Sequence, residues 1–372
     1  MAATLCPVVS RLKQFEQFYS QPSDFGLGPA ETVDAHRVID EPGWSPYCID
    51  DTAGTLVFVR TPANIDLEAA PFHHLEQYLN AEALLTLPLG EVAQLARVFP
   101  MPNIALIFSI GRCGTTLISH ALAGSDSVTS LSEPGVFEHR PLRALAGNFD
   151  VPSLIGDLCR LLFAVRGRAE ADMLVVKFRS QALFVAEQFW QALPAARYVF
   201  MYRDAVSWGE SFRQFLIDVG VPLPPDAAGR DFHWMMGSAD APLSDLGRYV
   251  DLDQRPIATE AILAPLWPFQ LEEYARLLSV GMPFLAVRYN ELVADRAGEL
   301  ARIFTHCGIP HIGITRALTA FDEDSQKGTA IARKGDKPRF DAQSRAIYLA
   351  TLARNPPFSD PDLILPDIYT HR

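Results

Sequence analysis

At 372 residues, 49% of them hydrophobic, the chain is long enough to bury a large core, which excludes a disordered protein and fits one big domain plus an appendage. A net charge of −12 excludes the broad basic surface that nucleic-acid backbones require, so an anionic ligand must be held by local positive charge. The five cysteines, Cys6, Cys48, Cys113, Cys159 and Cys307, are scattered without zinc-ligand spacing, and no apolar run approaches the about 20 residues of a membrane span. The start, "MAATLCPVVSRLKQ", has its basic residues after a short apolar patch, the reverse of a secretory signal, so a soluble, cytoplasmic protein is expected.

In chain order, "GWSPYCIDDTAGTLVFVRTP" reads as a hairpin turning near Ala53-Gly54, followed by helices around "PFHHLEQYLN" and "GEVAQLARVF". Prolines at 100 and 102 in "FPMPN" then break the chain, and a boundary is placed there between an N-terminal α+β appendage (1–100) and the main domain (101–345). From about Asn103, short β-branched runs alternate with helical stretches, the pattern of a parallel sheet covered by helices. The expected strands are "NIALIFSI", "SVTSLS", "MLVVKF", "ARYVFMYR" and "PFLAVRY". Several are apolar nearly throughout, as when both faces of a strand are buried. The fold class expected is α/β, three layers α/β/α around a central parallel sheet, with residues 346–372 as a tail packing on the domain. A long stretch rich in Pro, Gly and Asp, from Val221 to Pro256, reads as either an acceptor-contacting loop around Phe232, Trp234 and Met235 or a plain insertion.

The stretch "FSIGRCGTTLISHAL" carries the first chemistry. After the strand, Gly111 and Gly114 let the backbone turn tightly, and Thr115 and Thr116 open a helix whose free amides and positive dipole end point at one spot. An anion belongs there. A nucleotide-hydrolysing loop reads GxxxxGK[ST], yet threonine follows Gly114 here, and the nearest cation is Arg112. A turn without a ligand is the competing reading of this motif alone. A second element answers it: in "YVFMYRDAVSWGESF", Arg203 ends a strand, and Ser211 lies eight residues on along the next helix. An arginine fork with a hydroxyl on the following helix is suited to a phosphate.

Together these motifs resemble those of the sulfotransferases that use 3′-phosphoadenosine 5′-phosphosulfate. Arg112-Cys113-Gly114-Thr115-Thr116 is similar to the family's 5′-phosphosulfate loop, [KR]-[ST]-G-T-[TS], with Cys113 departing from the usual serine. A thiol at a helix N-terminus beside Arg112 is expected either to ionise more easily than a free one or to be a simple substitution. The pair Arg203 and Ser211 is similar to the family's 3′-phosphate contacts, and "RYNELV" to its last strand and helix, with Asn290 and Glu291 shaping the fold. Arg333-Lys334-Gly335 matches a basic segment that closes over the nucleotide, a solvated loop being the alternative.

The resemblance covers roughly Asn103 to Arg339 and leaves the first hundred residues unexplained. It implies a P-loop-like sulfotransferase fold and in-line transfer of a sulfuryl group to a hydroxyl or amine of a small-molecule, glycan or peptide acceptor, without a metal. It further implies a donor held by Gly111 to Thr116, Arg203, Ser211 and Arg333 to Gly335. Lys177 matches a lysine that would stabilise the transferring group, but the histidine base that cytosolic members carry two residues on is replaced by Arg179, which cannot accept a proton. The expected substitute is Glu133 in "SEP", the placement of the base in protein-tyrosine and several bacterial sulfotransferases, with its pKa raised by partial burial. Glu138 and His139 are its nearest competitors. His120 is expected to pack along its helix, and His73-His74 to have a packing role only. An atypical P-loop kinase and a non-catalytic nucleotide-binding protein are the rival readings.

Overall fold

The structure, a computed structural model, describes residues 1–13, 19–166, 171–221, 226–231, 247–329, 332 and 339–367. Arg333, Lys334 and Gly335, and with them Phe232, Trp234 and Met235, lie outside the described residues.

The five expected strands of the second half are all present. Labelled after six strands of the first hundred residues, they are β7 (Asn103–Ser109), β8 (Val128–Ser132), β9 (Met173–Lys177), β10 (Arg197–Tyr202) and β11 (Phe284–Arg288). They form one sheet in the order β11-β10-β7-β9-β8, parallel at every pairing, and nearly every residue in them is buried. Burial on both faces explains why these runs are apolar throughout rather than alternating.

The strand order fixes the layers. The connection from β7 to β8 steps one way across the sheet, and those from β8 to β9, β9 to β10 and β10 to β11 step the other way. Crossovers are right-handed, so the reversal puts the intervening helices on opposite faces. The helix Thr115–Ala123 accordingly packs on β8 and β9, sharing its side with the helices Ile314–Thr319 and Arg296–Cys307. The helices Val151–Arg166 and Ala186–Ala192 pack together on the other face. Between β7 and β10 the chain departs in opposite directions. In open α/β sheets, ligands bind at such a switch point, beyond the carboxyl ends of the strands.

The first hundred residues build a second, antiparallel sheet. Its strands are β1 (Ala2–Arg11), β2 (Phe25–Leu27), β3 (Glu31–Asp34), β4 (Trp44–Asp50), β5 (Thr55–Arg60) and β6 (Ala83–Pro88), in the order β2-β1-β6-β5-β4 with β3 paired to β1. The hairpin at Gly54 and the two helices, His73–Leu79 and Leu89–Ala96, match the sequence expectation, which missed β1, β2, β3 and β6. β4 packs against the helix Val151–Arg166 and against the turn Gly135–Phe137, and one hydrophobic core runs through both sheets. Gly135 marks the closest approach: a Cβ there would stand 2.9 Å from the Tyr47 carbonyl oxygen and 2.3 Å from Ser20 Oγ. Among the described residues no helix is long and apolar enough to cross a membrane.

Candidate functional site

Strand register brings the singled-out residues to one edge. Ser109 pairs with Met201, Ile107 with Lys177, and Ser132 with Lys177, so the loop after β7, Glu133 after β8, Lys177 at the end of β9 and Arg203 after β10 all lie at the carboxyl end of the parallel sheet.

The loop turns on three left-handed residues, Gly111 (φ 71°), Arg112 (φ 53°) and Gly114 (φ 82°), the last of which caps the helix Thr115–Ala123. A non-glycine residue held there costs roughly 1–3 kcal/mol, and Arg112 keeps that geometry because its surroundings over-determine it. Trp208, on the helix Ala205–Asp218, donates its indole N–H to the carbonyls of Ile110 (3.2 Å) and Gly111 (3.0 Å). The Tyr289 ring lies so close to Gly114 that a Cβ would meet it at 2.6 Å. The amides of the first helical turn have no carbonyl of their own helix to bond, and they point out of this cradle.

Two guanidinium groups border it. Arg112 donates from Nε to Ser211 Oγ at 3.4 Å and lies over the Phe215 ring at 5.4 Å. Arg203 donates from Nε to Ser207 Oγ at 2.7 Å and lies 4.7 Å from the Tyr289 ring, and its own carbonyl accepts from the Trp267 indole at 2.9 Å. Burial, and then the charge of Arg203, hold Arg112 below the usual arginine range. Among the described residues neither arginine forms an ion pair with a carboxylate, although both stay cationic. Like charges brought together in low dielectric gain from an anion between them, and a phosphorylated ligand fits that requirement. The structure joins Ser211 to Arg112 and gives Arg203 a different hydroxyl, Ser207, where the sequence had joined Ser211 with Arg203. Asp204 caps this second helix through the Ser207 amide at 2.9 Å; burial alone would raise its pKa, but hydrogen bonds from Ser207 and Asn290 outweigh burial and lower it.

Of the two readings expected for Cys113, the structure favours simple substitution over an easily ionised thiol. Its side chain is fully buried, donates to the Met201 carbonyl at 3.3 Å, and has its pKa pushed up to about 11 by burial. The thiol is therefore neutral and turned into the core, and only the backbone of this residue faces the cradle's loop.

At the other end of the edge, Glu133 also adopts a left-handed conformation (φ 58°). Its amide donates to the Lys177 carbonyl at 2.7 Å. One carboxylate oxygen accepts from Lys177 Nζ and the other from Arg179 Nε at 3.2 Å. The partial burial expected for it is present, but the surroundings are charged, because β9 ends in two cations that both turn toward the carboxylate. Arg179 bridges further, with Nη1 3.6 Å from Glu138 and Nη2 2.7 Å from His74 Nε2. Glu138 is buried, and burial raises its pKa. His139 is also buried and packs against Tyr19 with ring centres 5.9 Å apart. Burial lowers the pKa of His120, which is partly buried on its helix, in line with the packing role expected of it.

His74 is the residue that sequence reasoning passed over. Its Nδ1 lies 3.0 Å from the Glu133 carbonyl oxygen, across 59 positions of sequence, so no local pattern announces it. Nearby, Ser132 Oγ donates to the Pro71 carbonyl at 2.7 Å, and the Phe72 ring lies 5.7 Å from Lys177 Nζ. The N-terminal unit forms one wall of the site. Among the described residues no group of three or more His, Cys, Asp or Glu side chains is arranged to hold a metal.

No protein-family model matches the chain, and no curated protein matches it. Among solved structures, a sulfotransferase from Mycobacterium avium is 13% identical with a TM-score of 0.41, covering 72% of this chain and 79% of its own. The sulfotransferase domain from the curacin biosynthetic pathway is 14% identical, TM-score 0.38, over 66% of this chain and 96% of its own. A retinol dehydratase in complex with androsterone and inactive cofactor PAP is 14% identical, TM-score 0.38, over 75% and 87%.

Proposed function

We propose that the chain transfers a sulfuryl group from 3′-phosphoadenosine 5′-phosphosulfate to a hydroxyl or amine acceptor. The observation that carries this reading is the pair of half-buried guanidinium groups, Arg112 and Arg203, without carboxylate partners among the described residues, on either side of a glycine cradle at the switch point. The cradle has no lysine after Gly114, so its fixed cations are arginines, whose planar forks suit oxyanions.

The donor supplies an activated sulfur and a bisphosphate leaving group. Arg112 and the amides of Gly114, Thr115 and Thr116 take up the negative charge that grows on the bridging oxygen as the S–O bond breaks. Glu133 accepts the proton of the acceptor as its oxygen or nitrogen bonds to sulfur. That proton neutralises the carboxylate facing Lys177, whose charge is then turned to the sulfuryl oxygens. Glu138, the nearest other carboxylate, lies on the far side of Arg179 and serves the reading less well.

Calorimetry with adenosine 3′,5′-bisphosphate tests donor recognition directly, and transfer from labelled donor to a panel of alcohols, phenols, amines and sugars tests the reaction. Transfer is expected to persist in excess chelator. No heat of binding with the bisphosphate would sink the proposal, and binding and turnover of ATP with Mg²⁺ in its place would establish the rival kinase.

A further inference from the structure

Glu133 is held in a strained backbone conformation from three sides: its amide by the Lys177 carbonyl, its carboxylate by Lys177 and Arg179, and its carbonyl by a ring 59 residues away. The roles of the two ring nitrogens of His74 follow from chemistry. Arg179 is always a donor, so Nε2, 2.7 Å from its Nη2, must be the acceptor. The ring proton is then on Nδ1 and is donated to the Glu133 carbonyl at 3.0 Å. A neutral ring is required by both contacts.

We propose that His74 is a positioning residue for Glu133: Nδ1–H fixes the carbonyl of the left-handed turn, Nε2 fixes Arg179, and the two together set the direction in which the carboxylate meets the acceptor. This rests on the reading of Glu133 as the proton acceptor in sulfuryl transfer. It also gives the N-terminal unit a part in the reaction, because His74 lies in the first turn of the helix His73–Leu79, which that unit carries. Burial, the charges of Arg179 and Lys13, and the adjacent His73 all keep the ring neutral, against the bond to Glu133.

Three variants separate the two contacts. In His74→Asn the side-chain amide nitrogen stands near the position of Nδ1 and keeps the donor. In His74→Gln the amide oxygen stands near Nε2 and keeps the acceptor, and His74→Leu keeps neither. The probes are donor hydrolysis, in which water attacks sulfur and its proton passes to Glu133, calorimetry with adenosine 3′,5′-bisphosphate, and hydrogen exchange of the Glu133 amide. Bisphosphate affinity is expected to stay within about twofold of wild type in every variant, since the ring's hydrogen bonds go to Glu133 and Arg179 and not to the cradle. Hydrolysis is expected to fall about tenfold to a hundredfold in His74→Leu, with faster exchange at Glu133, and both are expected to recover largely in His74→Asn. Wild-type hydrolysis and exchange in His74→Leu would overturn the proposal. Should that variant not fold, the comparison of His74→Asn with His74→Gln decides, because the inference requires Asn to be the better on both readouts and equality overturns it. A wild type that does not bind the bisphosphate removes the sulfuryl reading alone, and amide exchange then tests the positioning contact without any turnover.

Discussion

At the residue scale, the site is a set of side chains whose partners decide their roles. Arg112 and Arg203 carry no competing carboxylate among the described residues, so each is expected to meet a ligand oxyanion. Arg112→Ala or Arg203→Ala should each weaken adenosine 3′,5′-bisphosphate by about 10- to 100-fold in calorimetry, the loss of about 1.5–3 kcal/mol that a charged hydrogen bond is worth. Unchanged affinity in both would place the anion elsewhere. Cys113 makes the opposite prediction: with its thiol neutral and turned inward, native protein treated with iodoacetamide at pH 8 should be alkylated at the half-buried Cys6 and spared at Cys113, as mass spectrometry of the peptides would reveal. Cys113→Ser should keep the bond to the Met201 carbonyl and bind the bisphosphate like wild type. The arginines were legible in the sequence because their spacing from glycine, threonine and serine is local. The partners of Cys113, Ser211 and His74 were not, since Met201, Arg112 and Glu133 reach them from other elements.

At the element scale, the parallel strands were readable for a physical reason: strands buried on both faces are written as continuous β-branched runs, and turn residues separate them. β1 and β6 escaped because their burial is partial: the ten residues of β1 carry no sustained alternation of apolar and polar side chains, and nothing in periodicity distinguishes "ALLTLP" of β6 from a helix end. The turn between β8 and the following helix was legible only as "SEP", while its packing against β4 was not. Gly135 is where that packing is tightest. Gly135→Ala must displace the Tyr47 carbonyl or Ser20, and a loss of about 1–3 kcal/mol in urea unfolding is expected. A variant as stable as wild type would mean that β4 yields at this contact without cost.

At the scale of the whole molecule, one core joins the two sheets, and a run of alternating charges, Lys177, Glu133, Arg179 and Glu138, stands where they meet. Three imidazoles, His74, His120 and His306, have pKa values lowered first of all by burial. Each is neutral when folded and takes a proton more readily when unfolded, so the stability it contributes is complete above about pH 6.5 and is lost as pH falls below that. Glu138 acts with the opposite sign, its raised pKa favouring the fold below about pH 4.5 and losing that contribution as pH rises. Between pH 7.5 and 5.5, the unfolding free energy from urea titration should therefore decline, by up to about 1.4 kcal/mol per pH unit for each imidazole that stays neutral, and His74→Asn should flatten the decline. A flat profile in the wild type would mean these rings are protonated in the fold. The tryptophans add a practical consequence. Trp208 and Trp267 donate their indole N–H groups to the carbonyls of Gly111 and Arg203, the backbone on both sides of the anion cradle. Any ligand that shifts either segment alters the polarity felt by an indole, so the chain carries its own optical reporter. Titration by intrinsic emission, with Trp208→Phe and Trp267→Phe to assign the signal, would follow occupancy of the cradle without a label or a known acceptor.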